Sequence, residues 1–435
     1  MIYVIADDLT GSSDTGVQFA KRGYKTVVAI TPDNAHPGVS EDMDVYVIDT
    51  ETRDEETRAA RAKLKRILKG LHIRRHEIVY KKVDSTLRGS IGVEIEELMT
   101  HLGRDLCIFT PTLAPYGRIT IGGYLVVQGE VLGHSKYYTG KLEPGEASYI
   151  PLLLRQQTKL PIARVDLKDV AKGVESIAQK LNELYENGAK IVVIDATNET
   201  HLHDIFESSL HFEGSIVYAG SAGLAEHIRH EEGFREREPC AIKLSHGPYL
   251  VLFASRHPII QMQIAHLKKR MRCYELVIEV GKIPSNIERM KDLYTEECVG
   301  ALNDNMHVVI HTDPAGTEEK NTIERVMHEH KIGLRELELQ IRQFLGELVS
   351  HILYRHKLMN IILSGGDTAL GVCNALQIKR LEIIDELLPG IPISRAQFKD
   401  RKLQLITKAG GFGEIDTLYR LMDKLKNTRE KALNQ

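Results

Sequence analysis

Short apolar runs that stop abruptly at charged or hydroxyl-bearing residues, each followed by a helical pattern, constrain this chain more than any other feature. The first such run opens the sequence. Residues 2–6 are apolar and end in Asp7 and Asp8, and a turn follows through Leu9, Thr10, Gly11, Ser12 and Ser13. Asp14 then opens a helix-like segment carrying Val17, Phe19 and Ala20. A continuous apolar run bounded by turn residues reads as a strand buried on both faces. Its alternation with amphipathic helices predicts a mostly parallel sheet. Residues 25–30, 44–48, 78–81 and 106–110 repeat the pattern, and between residues 54 and 69 Ala60, Leu64, Ile67 and Leu68 recur at helical spacing. In such sheets ligands bind at the carboxyl ends of the strands.

The polar clusters fall at those ends. Asp49, Thr50, Glu51, Thr52 and Arg53 follow one strand, KKVDSTLRG at residues 81–89 follows another, and PTLAPYGR at residues 111–118 follows a third. Lys82, Arg88 and Arg53 are candidates to hold a small anion, since the planar fork of arginine suits a carboxylate. Asp8, Asp84 and Ser85 can exchange hydrogen bonds with sugar hydroxyls, and an Asp beside a hydroxyl can act as general base. Structural roles compete with these. The acids and bases can form loop ion pairs, Asp84 or Ser85 can cap a helix beginning near Ile91, and for Lys81 a structural role is the better expectation. Residues 119–150, rich in glycine and β-prone residues, break the alternation and read as a hairpin excursion, a candidate cover for a substrate. The pattern resumes with a helix over residues 167–186 and strands at 190–195 and 215–219. The last runs into Gly220, Ser221, Ala222 and Gly223, whose glycines are best explained by close helix–strand packing.

A chain of 435 residues exceeds what one core usually fills, and residues 231–245 are charged and aperiodic. The fold class expected is therefore α/β with two domains, residues 1–235 and 246–435, joined by a linker at 236–245. Each is a mostly parallel sheet flanked by helices, with the active site in the interdomain cleft. The second half restarts with a strand at 249–253, a turn containing Ser255 and a helix over 259–270. Strands at 273–280 and 306–311 and a long helix over 334–356 follow. A strand at 360–363 ends in Ser364, Gly365, Gly366, Asp367 and Thr368, and one at 403–407 ends in Lys408, Ala409, Gly410, Gly411, Phe412 and Gly413. Small residues there let backbone amides approach a phosphate at the positive end of a helix, and Lys408 adds a charge. No GxxxxGK[ST] occurs, and neither loop is a GxGxxG with a following acid, so neither a P-loop nor a dinucleotide fold is supported.

Composition narrows the partners. A net charge of -3 argues against nucleic acid, and no apolar run is long enough to span a membrane. The start has no basic segment before its apolar run, so no secretory signal is expected. Five dispersed cysteines without a CxxC pair and 19 histidines without HExxH indicate reduced thiols, no metal centre and a cytoplasmic location. A symmetric homodimer is the assembly expected on base rates.

A small anionic polyol held by the first half and nucleotide phosphates by the second is the layout of a kinase, and here the sequence resembles a known family, the four-carbon acid sugar kinases. The resemblance is carried by IADDLTG at residues 5–11 with Asp14, KVDSTLRG at 82–89, the PxxxPxGR form at 111–118, GSAGLA at 220–225, SGGDTA at 364–369 and TKAGGFG at 407–413. It implies ATP-dependent phosphorylation of the 4-hydroxyl of an acid such as threonate, erythronate or 3-oxo-tetronate. It places substrate contacts on Asp8, Arg53, Lys82, Val83, Asp84 and Ser85, and ATP contacts on Ser255, Ser364, Gly365, Gly366, Asp367 and Gly411, the neighbouring Lys408 and Gly410 completing the phosphate loop. The family usually has a glycine- and serine-rich turn after the first strand of its nucleotide domain, where this chain has Phe253, Ala254, Ser255, Arg256 and His257. Mg²⁺ is expected with ATP, with Asp367 a candidate near it or, equally, a helix cap. Asp8 and Asp84 both remain candidates for the general base, and Asp7 is either a second site ligand or a cap. The competing readings are a non-catalytic sensor of acid and nucleotide, and a nicotinamide-dependent sugar-acid dehydrogenase.

Overall fold

The computed structural model of the chain describes residues 1–30, 43–138, 140, 142–230, 247–254, 258–312 and 317–433. It divides into two compact units, Met1–Glu238 and Pro239–Gln435. The linker expected at 236–245 and Ser255 lie outside the described residues.

In the first unit β1 (Ile2–Ala6), β2 (Thr26–Ala29), β3 (Val45–Asp49), β4 (Ile78–Lys82) and β5 (Leu106–Thr110) are the expected strands. A small excursion follows as β6 (Arg118–Ile121), β7 (Tyr124–Val127) and β8 (Glu130–Val131), and β9 (Ile162–Val165), β10 (Ile191–Ile194) and β11 (Ile216–Gly220) complete the unit. Eight of these strands form one sheet in the order β2-β3-β1-β4-β11-β5-β10-β9. Every neighbouring pair runs parallel. Every residue of β1, β3 and β5 is buried, as continuous apolar runs require in a sheet covered on both faces. The core fills from those faces with Tyr46, Ile48, Leu64, Leu68, Ile95, Leu98 and Phe109.

Chain order reverses beside β1. The path leaves β1 for β2, returns to β3 between them, then crosses to β4 on the other side, making the β1/β4 crevice a topological switch point. The strand ends are level there, with Ala6 in register with both Asp49 and Lys82.

Local departures from expectation have physical reasons. Helix α1 (Leu9–Ala20) begins at Leu9, not at Asp14, because the Asp8 side chain caps it by accepting from Gly11 N at 2.7 Å. The expected helix over 167–186 is broken into Leu167–Val170 and Val174–Glu186, with Gly173 at φ 90° between them. Helices α2 (Thr57–Lys69) and α3 (Ile91–Leu102) match expectation, although Ser90, with no side-chain cap bond, precedes α3. The excursion after β5 is an antiparallel sheet, β6-β7-β8. The glycines of the turn after β11 answer to packing: a Cβ on Gly220 would meet Thr110 O at 2.1 Å, and one on Gly223 would meet Thr112 O at 2.4 Å.

The second unit repeats the winding. Its strands are β12 (Tyr249–Phe253), β13 (Cys273–Ile278), β14 (His307–Thr312), β15 (Asn360–Ser364), β16 (Arg380–Leu388), β17 (Ile391–Phe398) and β18 (Arg401–Lys408), ordered β13-β14-β12-β15-β18-β17-β16. The path from β12 goes two strands out, returns between them and crosses to β15, as β1 to β4 does in the first unit. The sheet is parallel as far as β18 and closes with an antiparallel meander through β17 and β16, which the sequence pattern had not announced. Its core gathers Phe253, Ile264, Val309, Ile362, Ile406, Leu421 and Leu425. Among the described residues no helix is long and apolar enough to cross a membrane.

Candidate active site

In the first unit the level ends of β1, β3 and β4 put three aspartates and three cations together. Arg53, in the loop after β3, is the centre. Its Nε and Nη2 donate to Asp7 at 3.1 and 2.9 Å, and its Nη1 and Nη2 donate to Asp8 at 2.5 and 2.8 Å. Asp84 Oδ1 stands 3.8 Å from Arg53 Nη1. The Asp7 carbonyl accepts from Thr52 N and Arg53 N, fixing the loop that carries the guanidinium.

Asp84 is bound into its own turn, accepting from Arg88 Nε at 2.8 Å and Nη2 at 3.0 Å, from Thr86 N at 3.2 Å and from the Thr86 hydroxyl. Lys82 Nζ is buried, donates to Val83 O at 2.7 Å, and lies against Gly11, where a Cβ would sit 3.0 Å from it and 2.6 Å from Asp8 Oδ1. Only glycine admits that approach. Val83 N donates to Gly220 O at 2.9 Å, and Ser85 is half-buried.

The environments push the acids apart. Burial would raise Asp7, but Arg53 and then Lys81 outweigh it and hold that carboxyl below its ordinary value. Burial raises Asp8, with Asp7 reinforcing the shift and Arg53 opposing it. Asp84 is driven far below the carboxylate range because the Arg88 hydrogen bonds and the Arg53 charge overcome burial. Behind them Asp49, fully buried at the end of β3, is pushed well above its ordinary value by burial and by the charges of Glu51 and Asp8. Lys81 is not at the site: it pairs with Glu94 of α3 at 2.7 Å, both side chains almost completely buried, and Glu94 also accepts from the Thr52 hydroxyl.

In the second unit β15 ends at Ser364 beside the end of β18, in register with Lys408, and Gly365 N donates to Lys408 O at 2.8 Å. Gly365 adopts φ 105°, a conformation that favours glycine, and the helix Gly366–Ala375 starts immediately after it. The Ser364 hydroxyl and the Thr407 hydroxyl are buried without a hydrogen-bond partner among the described residues. Lys408 points back into its own loop, where its Nζ donates to the carbonyls of Ala409, Gly410 and Phe412 at 2.9, 3.0 and 3.0 Å. Burial lowers its pKa to about 8. Gln263 holds the same loop through Phe412 O and Glu414 O. Gly410 is half-buried, Gly411 is exposed, and Asp367 is exposed with Arg342 3.4 Å away.

Residues 2–228 match the model of a sugar-binding N-terminal domain, and residues 250–418 that of a nucleotide-binding C-terminal domain. The chain belongs to the four-carbon acid sugar kinase family. Among relatives of this family, the D-threonate kinase of Salmonella typhimurium is 30% identical over 422 residues, 96% of each chain. The 3-oxo-tetronate kinase of Pseudomonas fluorescens is 24% identical over 434 residues, covering 98% of this chain and 97% of its own. The D-erythronate kinase of Heliobacterium modesticaldum is 25% identical over 437 residues with the same coverage. The fold is shared with a solved Salmonella typhimurium structure described as a tRNA synthase, at TM-score 0.79 and 24% identity, covering 96% of this chain and 98% of that one.

In this family member the structure brings together Asp8, Arg53, Lys82, Asp84 and Arg88 in one unit and Ser364, Gly365, Gly366 and the Lys408–Gly411 loop in the other. Sequence reasoning missed the part played by Asp7, the bidentate partner of Arg53. It also missed Glu94, although a lysine inside a buried strand demands a carboxylate nearby. Lys408 was expected to face phosphate as a free charge, whereas its ammonium holds the loop carbonyls.

Proposed function

We propose that this sugar-acid kinase transfers the γ-phosphate of ATP to the 4-hydroxyl of a four-carbon acid, with threonate first among the candidates and erythronate and 3-oxo-tetronate after it. The observation that carries the reading is Asp8. This acid has one oxygen fixed by Gly11 N and both fixed by Arg53, and its pKa is raised, beside an Asp84 whose pKa is strongly lowered. Two carboxylates with pKa values driven apart divide the work. Asp8 orients the 4-hydroxyl and takes its proton as the oxygen bonds to phosphorus and the bridging oxygen leaves with ADP. Asp84 stays ionised and holds Arg88 and the 84–88 turn in place. The D-threonate kinase of Salmonella typhimurium supports putting threonate first.

The second unit suits ATP. A buried serine hydroxyl with no partner among the described residues, a glycine at positive φ and the amino end of a ten-residue helix converge on one strand end. Lys408 and Gln263 keep the adjacent glycine loop in shape. Among the described residues no group of three or more His, Cys, Asp or Glu side chains is arranged to hold a metal. Mg²⁺ would therefore be held mainly by phosphate oxygens, with Asp367 the candidate carboxylate, and would neutralise charge on the transferring group.

The test is ADP release from ATP over D-threonate, D-erythronate and 3-oxo-tetronate, with the product's phosphate position read by phosphorus NMR. A 4-phosphate from at least one acid is expected. Tight binding of acid and ATP without turnover would sink the kinase reading in favour of a sensor, and nicotinamide reduction without ADP would sink it in favour of a dehydrogenase.

A further inference from the structure

The PTLAPYGR segment carries a cation that the rest of the site does not use. Of the cations on the first unit's strand ends, Arg53 is committed to Asp7 and Asp8, Arg88 to Asp84, and Lys81 to Glu94. Asp7, Asp8 and Asp84 are thus balanced in formal charge by Arg53, Arg88 and Lys82. A substrate carboxylate arriving beside them brings a negative charge that nothing in this set compensates.

Lys82 forms no ion pair among the described residues, but it donates to Val83 O and its charge acts on Asp7 and Asp8. Arg118, the first residue of β6, stands outside this set. Among the described residues it forms no ion pair. Its Nη1 has a single long bond of 3.4 Å to Tyr116 O, its guanidinium stands 5.6 Å from the Tyr137 ring centroid, and its Nε is buried without a partner. A half-buried guanidinium so poorly satisfied is costly to keep unless a ligand completes it.

Its place in the fold is set by backbone bonds. Arg118 and Leu113 exchange both of theirs, at 2.8 and 3.2 Å, so Arg118 stands over the end of β5. Leu113 and Thr112 pack against Gly223, and Gly220, at the end of β11, takes the Val83 amide. The ends of β4, β11 and β5 therefore form a continuous line from Lys82 to Arg118. Two strand spacings are about 10 Å, a gap that an arginine side chain and a four-carbon acid together span.

We propose that Arg118 is a specificity-determining residue that receives the substrate's C1 carboxylate in its two-pronged fork, with the distal hydroxyl directed to Asp8. This assignment rests on the sugar-acid kinase reading. It makes the unpaired Arg118, rather than the already neutralised Arg53, the group that distinguishes an acid from a neutral polyol. A cationic fork of this kind would also suit a phosphate of ATP, and the test separates the two.

Wild type and Arg118→Gln are compared on the best four-carbon acid and on its neutral primary amide, which keeps every hydroxyl. The ratio of the two kcat/KM values on one preparation does not depend on how much of the protein is folded. Wild type is expected to prefer the acid by about 100-fold, the worth of a good charge-assisted pair. In Arg118→Gln that preference should shrink to a few-fold, with turnover of the amide and the KM for ATP unchanged. Arg118→Lys, which keeps the charge without the fork, should recover part of the preference. An equal loss on acid and amide, or a rise in the KM for ATP, would overturn the assignment by making Arg118 structural or a phosphate ligand. Undiminished acid preference in Arg118→Gln would overturn it alone, whereas a wild type that turns over no four-carbon acid would overturn the kinase reading with it.

Discussion

Asp7 and Asp8 are adjacent, identical in type and opposite in behaviour. Both are held by one guanidinium, yet Asp7 is lowered because Arg53 and Lys81 outweigh its burial, and Asp8 is raised because burial and Asp7 outweigh Arg53. Asp8→Asn keeps the helix cap, since asparagine caps as well as aspartate, and removes the proposed proton acceptor. It should lower kcat by about 10²- to 10⁴-fold while leaving the KM for ATP near wild type, and wild-type turnover would remove Asp8 from the chemistry. The pH profile follows from the sign of its shift. A raised Asp8 is protonated sooner as pH falls, so kcat/KM should drop through a pH above the ordinary carboxylate value, and Asp8→Asn should lose that limb. Asp84→Asn should raise the KM for the acid by loosening Arg88 without moving the limb. Stability also falls as the pH falls, but through a carboxyl whose shift is opposite to that of Asp8. The lowered Asp84 contributes stabilisation that is present above its unfolded pKa and lost as pH falls through its folded one. Asp8 was legible in the sequence because it ends a strand before a turn. The opposite shifts of Asp7 and Asp8 were not, because they depend on which charges face each carboxyl.

At the scale of elements, the buried pair of Lys81 on β4 and Glu94 on α3 ties helix to sheet directly behind the site. Glu94→Ala leaves an ammonium buried without its partner and should destabilise the protein by about 3–5 kcal/mol, read as a lowered denaturation midpoint. A midpoint within error of wild type would mean that water reaches Lys81. In the second unit the strand–loop–helix element after β18 depends on Lys408. Lys408→Met removes three hydrogen bonds to loop carbonyls, so the KM for ATP should rise about tenfold while the KM for the acid stays unchanged. An unaltered KM for ATP would detach this loop from the nucleotide. Mainly apolar runs that are buried throughout were read correctly from sequence, as β1, β5 and β15 show. Helix α1 was read late because its opening turn is made of small polar residues whose burial only the fold reveals. The meander of β16 and β17 escaped because charges interrupt its apolar residues, as in Arg380–Leu388.

At the scale of the molecule, two units of the same winding carry different chemistry at equivalent strand ends: paired acids and guanidiniums in one, a buried serine hydroxyl and glycine turns in the other. Each ligand is therefore expected to bind its own unit, and linkage makes this measurable. A ligand bound only by the native state stabilises it by about 2.7 kcal/mol at 100 times its Kd. The non-hydrolysable ATP analogue and the preferred acid, added singly to the full chain, should each raise the melting temperature. Asp8→Asn should keep the nucleotide's shift and reduce the acid's, and Lys408→Met should do the converse. Should either substitution abolish both shifts while its unliganded melting temperature stays at the wild-type value, the two sites would be energetically one, and the division of labour between the units would have to be given up.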